Sequence, residues 1–63
     1  MTKKHFIALA AALKGERPGE NWDANKRMQW NLDVKAVVRV CKQFNGIFDT
    51  GRFIDACGGL FEV

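Results

Sequence analysis

The chain has 63 residues, of which 48% are hydrophobic, and this composition predicts one small folded domain rather than a disordered chain. Ten Lys and Arg residues against seven Asp and Glu give a net charge of +3, which is consistent either with plain solubility or with attraction to nucleic acid or an acidic protein and does not decide between them. No stretch reaches the roughly 18 apolar residues of a membrane-spanning helix, and no signal-peptide pattern begins the chain. We therefore expect a cytoplasmic protein with no membrane partner.

The first predicted helix covers residues 3–14, with Thr2 as its N-cap and Gly15 as its stop. Its apolar side chains repeat every three or four residues, which is typical of one buried helical face. They are Phe6, Leu9, Ala10 and Leu13. Residues 15–21 are polar and contain the only proline, so we interpret them as an interhelical loop.

A longer second helix is predicted from Trp22 or Asp23 to Phe44, with Asn21 or Asp23 as its cap. Projection at about 100° per residue places its apolar residues in one narrow stripe, which we expect to face the core. The stripe contains Trp30, Val34, Val37, Cys41 and Phe44. A helix of about 22 residues would be roughly 33 Å long, so its N-terminal end is expected to project beyond the first helix and to be free for a partner.

The second helix is predicted to end at Asn45 and Gly46. Gly46 suits the left-handed backbone conformation that commonly follows a helix. Ile47 would then fold back onto the last helical turn, as in a Schellman closure.

A short third helix over residues 50–57 follows Asp49, its predicted N-cap, and stops at Gly58 and Gly59. We expect its inward face to consist of Phe53, Ala56 and Cys57. The tail, residues 60–63, is apolar enough to dock on the protein or to meet another chain. The chain is thus predicted to be all-α, a single domain of three helices with a long central helix and a short C-terminal one.

The residue types that carry catalytic or metal chemistry are few and scattered. His5 is the only histidine, and its neighbours include no group that would orient it as a general base, so we expect a solvated surface residue. Cys41 and Cys57 lie in apolar stretches, where buried free thiols are favoured over a disulfide. Two cysteines and one distant histidine do not match a zinc-binding spacing. We therefore expect a non-enzymatic protein with no cofactor and no metal.

The opposite face of the second helix carries the most specific surface pattern. Lys35, Arg39 and Lys42 form a basic row, and Met28 and Leu32 lie on the same face. Such a row can contact the phosphates of a duplex. An exposed apolar pair next to basic residues is more typical of a protein-binding patch, and an ordinary solvated face is the plain alternative.

Two further residues are candidates for contact with a partner. Trp22, among polar residues at the start of the second helix, is either a lid over the loop or an exposed anchor, since tryptophan is frequent at interface hot spots. Arg52 is the only obvious base-reading residue of the third helix, which makes a helix-turn-helix the weaker interpretation.

Three segments of the chain carry a resemblance to a group of known proteins. They are residues 5–13 (HFIALAAAL), 30–37 (WNLDVKAV) and 44–58 (FNGIFDTGRFIDACG). Together they resemble a group of short proteins encoded by bacteriophages, prophages and other mobile elements. The resemblance implies a phage setting and no catalytic residues.

That setting favours a function in binding. The leading expectation is an accessory factor that binds a host or phage protein complex in the host cytoplasm, for example to inhibit a defence system such as CRISPR. The alternative is a small nucleic-acid-binding or regulatory protein. A second alternative is a homodimeric structural or assembly factor that associates through Trp22, Met28, Leu32 or the apolar tail.

Overall fold

A computed structural model of the chain describes residues 3–62 and contains three helices within that range. They are α1 (Lys3–Gly15), α2 (Ala24–Phe44) and α3 (Thr50–Ala56). The predicted all-α class, with a long central helix and a short C-terminal helix, is confirmed. The predicted N-cap at Thr2 and the last tail residue, Val63, lie outside the described residues.

Helix α2 begins one residue after Asp23, because this side chain supplies the N-cap. The Asp23 Oδ1 accepts a hydrogen bond from the backbone N–H of Asn25 at 2.8 Å, and so satisfies one of the free donors of the first turn. Of the two predicted caps, Asn21 and Asp23, the structure therefore has Asp23. Trp22 lies before the helix rather than in its first turn.

The core lies where the three helices meet, and α1 packs most closely against α3. The largely apolar residues buried there come from all three helices and the end of α3: Ala10, Trp30, Val34, Val38, Cys41, Phe53 and Cys57. The predicted placement of Phe44 in this core is wrong, since its side chain is 67% exposed. Phe44 is ten residues after Val34, which places it about 80° around the helix from the buried centre. Val37 is only partly buried for a similar reason.

The end of α2 differs from the predicted Schellman closure. Among the described residues, the glycines with positive φ are Gly58 and Gly59, and Gly46 is not one of them. Asn45 leaves the helix in an extended conformation, with its N–H bonded to the Cys41 carbonyl, and its own side chain accepts from the N–H of Ile47 at 3.2 Å. This local side-chain bond turns the chain without a left-handed residue. Ile47 consequently points to solvent and is 92% exposed.

The Schellman motif occurs instead at the end of α3. The N–H of Gly59 donates to the Ile54 carbonyl and the N–H of Gly58 to the Asp55 carbonyl, both at 3.0 Å. The two glycines have φ of 100° and 85°, which is the left-handed region that this closure uses. The predicted stop at Gly58 and Gly59 is therefore confirmed.

Helix α3 is short, and its first turn is fixed by the predicted cap. The Asp49 Oδ1 accepts from the N–H of Arg52 at 3.0 Å. Phe53 and Cys57 face the core as expected, at 5% and 0% exposure. Ala56 does not, because it lies on the solvent side of the helix.

The tail docks on the protein, and a buried amide holds it there. Asn31, which is 5% exposed, donates from Nδ2 to the Phe61 carbonyl at 2.8 Å and accepts from the Phe61 N–H at 2.9 Å. The Phe61 ring meets Trp30 edge-on, with 5.7 Å between ring centroids. Both polar groups of the Phe61 backbone are thereby satisfied at the edge of the core.

The loop between α1 and α2 joins the same cluster through Arg17. Its Nε donates to the Gly59 carbonyl at 3.2 Å, and its guanidinium carbon lies 4.0 Å from the Phe61 ring centroid. The Trp30 indole N–H donates to the Leu13 carbonyl at 3.0 Å, near the end of α1. We call Arg17, Trp30, Asn31, Gly59 and Phe61 the clasp, because they connect the loop, α2 and the tail.

Candidate partner-binding surface

Five of the predicted contact residues form one continuous surface on α2, which we call the basic ridge. Its members repeat every three or four residues along the helix: Met28, Leu32, Lys35, Arg39 and Lys42. Met28 and Leu32 are 45% and 52% exposed, and the three cationic side chains are exposed as well. At about 100° per residue the five positions fall within one sector of roughly 80°. The structure therefore brings these candidates together on one exposed face.

The ridge lies on the most positively charged element of the protein. Helix α2 contains five Lys and Arg residues and one acidic residue, Asp33, so its net charge is 5 − 1 = +4, against +3 for the whole chain. Asp33 lies off the ridge and accepts a hydrogen bond from the Gln29 side chain at 2.9 Å. Lys35 and Lys42 are separated by about 10 Å along the axis. The three cations therefore present a short, dense positive row to a partner.

Trp22 is not part of the basic ridge. It precedes α2 and is 57% exposed, and the Lys26 Nζ lies 4.9 Å from its ring centroid. Its ring also lies close to Gly19, where a Cβ atom would come within 3.0 Å of the ring Cδ1. Trp22 thus covers one side of the loop with one part of its ring and exposes the rest to solvent.

Arg52 lies on α3, where it lines a groove between α1 and α3. The groove has a volume of about 350 Å³ and opens to solvent. It is lined by Lys3, Phe6, Ile7, Ala10, Phe48, Asp49, Arg52, Phe53 and Ala56. The sequence did not predict this groove, because it depends on how two helices distant in sequence pack together. Ile7 lies beside the predicted buried face of α1 and is 61% exposed in the structure; an apolar residue next to such a face is the only hint that the sequence contains.

A second exposed apolar patch lies at the C-terminal end of α2. Val40, Phe44 and Ile47 are 47%, 67% and 92% exposed. Val40 and Phe44 are neighbours on one helical face because they are four residues apart. The sequence did not predict this patch, because its patterns indicated a buried Phe44 and an Ile47 folded onto the helix end.

The two cysteines are fully buried free thiols, as predicted. Burial raises the pKa of both Cys41 and Cys57 above the ordinary value, and the neighbouring Cys41 raises that of Cys57 further. A thiol that is buried and protonated is a poor nucleophile. Their positions in the interior match a packing role.

Two further properties concern the part of the chain that the structure describes. Residues 3–62 contain no group of three or more His, Cys, Asp or Glu side chains placed to hold a metal ion. None of the described helices combines the length and the apolar character needed to cross a membrane.

Comparisons of the chain with protein-family models, with curated proteins and with solved structures found no match. Inference about function therefore depends on the chain's own exposed surfaces. Among these surfaces, the basic ridge contains the largest number of exposed residues that the sequence predicted as partner contacts, and all of them lie on one helix.

Proposed function

We propose that the protein is a small accessory factor that binds another protein through the basic ridge of α2. The observation that carries this proposal is the pairing of Met28 and Leu32, each about half exposed, with three exposed cations on the same helical face. Exposed apolar side chains lose hydration when a partner covers them, which supplies affinity. Cations at the edge of such a patch raise the association rate and select the partner.

The chemistry of the ridge favours a partner with an apolar contact surface bordered by Asp or Glu. From Met28 to Lys42 the ridge is about 21 Å long, so its five side chains can form the centre of an interface, and a standard-sized interface of about 800 Å² per partner would include neighbouring residues as well. The core of α2 is held by Trp30, Val34 and Val38, so the opposite face is presented without rearrangement. Little ordering cost is expected when a partner binds to a preformed helix.

The resemblance to short phage-encoded proteins extends the proposal to the cellular setting. In that setting the partner is a host or phage protein complex in the cytoplasm. Inhibition of a defence system such as CRISPR is one form of the function. The exposed ridge supports protein binding, and the resemblance alone supports the phage setting.

Nucleic acid is the second candidate partner, and the spacing of Lys35, Arg39 and Lys42 is the observation that favours it. A helix laid along a phosphate backbone would use these three cations and would bind less tightly as salt increases. Met28 and Leu32 have no role in such a contact. The two candidates therefore differ in their dependence on the apolar pair.

The test is a pull-down from host lysate with the full chain as bait, followed by titration of the purified partner. Lys35→Glu/Arg39→Glu should abolish recovery of a stoichiometric partner, and Met28→Ala/Leu32→Ala should weaken it. Lys4→Glu/Lys14→Glu is the matched control, since it makes the same change in charge at exposed positions of α1.

The outcomes separate the candidate functions. Recovery of the same partner by both ridge variants would contradict the proposal. Binding to duplex DNA that weakens with salt, fails in Lys35→Glu/Arg39→Glu and is unchanged in Met28→Ala/Leu32→Ala would favour the nucleic-acid function. Recovery of the protein alone, with a dimer in sedimentation, would favour the assembly factor.

A further inference from the structure

The groove between α1 and α3 is a second exposed surface with its own shape. The groove is open because two of its lining side chains are small: Ala10 lies at its buried base and Ala56 on its exposed side. Aromatic rings close one end, where Phe48 lies 4.8 Å from Phe6 and 5.3 Å from Phe53 between ring centroids. The groove is therefore a gap between two helices with firmly packed walls.

The size and openness of the groove indicate the kind of occupant. Its volume of about 350 Å³ is at the low end of ligand sites, and it opens to solvent rather than enclosing a small molecule. Ile7 lines it and is 61% exposed. A row of apolar side chains from a partner helix fits an open groove of this type, with anchors three or four residues apart.

The charges that line the groove select the partner. Lys3 and Arg52 are cationic, and the only carboxylate in the lining belongs to Asp49. The Asp49 Oδ1 is already bonded to the backbone N–H of Arg52, at the positive N-terminal end of α3. The lining therefore presents a net positive charge, which complements an occupant with Asp or Glu beside its apolar residues.

A second copy of this chain is a poorer occupant. Its exposed apolar patch includes Val40 and Phe44, which are four residues apart on one helical face. The patch lies on or next to α2, however, whose net charge of +4 would bring a positively charged element towards the cations of the groove. Juxtaposed like charges oppose this pairing.

We infer that the α1–α3 groove is a docking site for an acidic amphipathic helix of another protein. The residues that line it come from α1, the connector after α2, and α3, and none belongs to α2. The site is therefore separate from the basic ridge, and each can bind a partner without the other.

The probe is a display library of helical peptides with randomised surface positions, selected on the full chain. The selected peptides are then titrated by fluorescence polarisation against two groove variants. Arg52→Glu reverses a charge in the groove, and Ala56→Leu fills the space without changing charge. Lys14→Glu and Ala11→Leu are the matched controls, since both positions are exposed and neither lines the groove. Lys35→Glu is measured beside them to detect peptides that bind the basic ridge instead.

We expect the selected peptides to carry net negative charge and apolar residues at helical spacing. Their affinity should fall about tenfold in each groove variant, equal to about 1.4 kcal/mol, and stay unchanged in both controls. Circular dichroism checks that the variants fold. If Ala56→Leu does not fold, the affinity of the peptides for Arg52→Glu alone tests the groove.

Several results would overturn the inference. They are a failure to select any peptide, selection of neutral or basic peptides, and equal binding by the groove variants and the wild-type chain. Peptides lost in Lys35→Glu but kept in Arg52→Glu would bind the basic ridge, which would support the proposed function while excluding the groove. A dimer that Ala56→Leu dissociates would make a second copy the occupant.

Discussion

Asn31 is the one residue in the described range that is both polar and buried in the core. Its side-chain amide holds one residue of the tail in place, because it forms hydrogen bonds with both the N–H and the C=O of Phe61. A buried amide is costly unless its partners are present. The two hydrogen bonds, together with the contact between the Phe61 ring and Trp30, therefore hold the tail at Phe61.

We predict that Asn31→Leu lowers the free energy of unfolding by about 1–3 kcal/mol, because it leaves the Phe61 backbone without its partners. Urea unfolding followed by circular dichroism measures the change. Gln29→Leu is the control, since the Gln29 amide bonds to Asp33 on the exposed side of α2, and we expect a cost of about 0.5 kcal/mol or less. Equal costs for the two variants would contradict a structural role for the Asn31 amide.

At the scale of helices, local capping signals were sufficient for two starts and one stop. Asp49 was predicted as a cap, and Asp23 was one of two predicted caps beside Asn21, because an Asp or Asn side chain can reach the free N–H groups of the next turn. Gly58 and Gly59 were predicted as a stop because glycine adopts a positive φ readily. These interactions span at most a few residues, so they can be read from the sequence.

The end of α2 was not predictable by the same reasoning. Gly46 and Gly58 both follow an amphipathic segment, and both suit a left-handed closure. The Asn45 side chain provides a competing hydrogen bond to Ile47, which makes the left-handed residue unnecessary. A sequence pattern does not show which of two permitted closures has the lower free energy once the rest of the chain is packed.

Two glycine substitutions distinguish these helix ends. Gly58→Ala should destabilise the protein by about 1–2 kcal/mol, since its φ is 100° and a Cβ would come within 2.9 Å of the Arg17 Cδ. Gly46→Ala should be neutral or stabilising by up to about 1 kcal/mol, because its φ is not positive and a Cβ would meet no atom within 4 Å.

Thermal unfolding of the two variants beside the wild type is the measurement. A marked loss of stability in Gly46→Ala would indicate a left-handed residue there, as the sequence first suggested. An unchanged melting temperature in Gly58→Ala would contradict the Schellman motif at the end of α3.

At the scale of the whole molecule, the sequence predicted features that lie within one helix and did not predict contacts between elements that are distant in the chain. The three helices and the basic ridge follow from periodicity within single helices, so residue patterns were sufficient for them. The groove and the clasp join residues from different elements, such as Arg17 with Gly59 and Asn31 with Phe61. Contacts at this separation depend on how the helices pack, and no local pattern specifies it.

The clasp is important because a chain of this length has little stability to lose. At roughly 0.05–0.15 kcal/mol per residue, a domain of this size is stabilised by only about 3–9 kcal/mol. Phe61 contacts Trp30 and lies against two guanidinium groups, those of Arg17 and Arg27. Its loss would uncover Trp30 and free the loop at the same time.

We therefore predict that Phe61→Ala lowers the free energy of unfolding by about 2–3 kcal/mol, a large share of the total. Phe44→Ala makes the same chemical change at a ring that is 67% exposed, and its cost should stay within about 0.5 kcal/mol. Urea unfolding monitored by tryptophan fluorescence compares them. Similar costs would mean that the tail contributes no more to stability than an exposed side chain, and that α1, α2 and α3 hold together without the clasp.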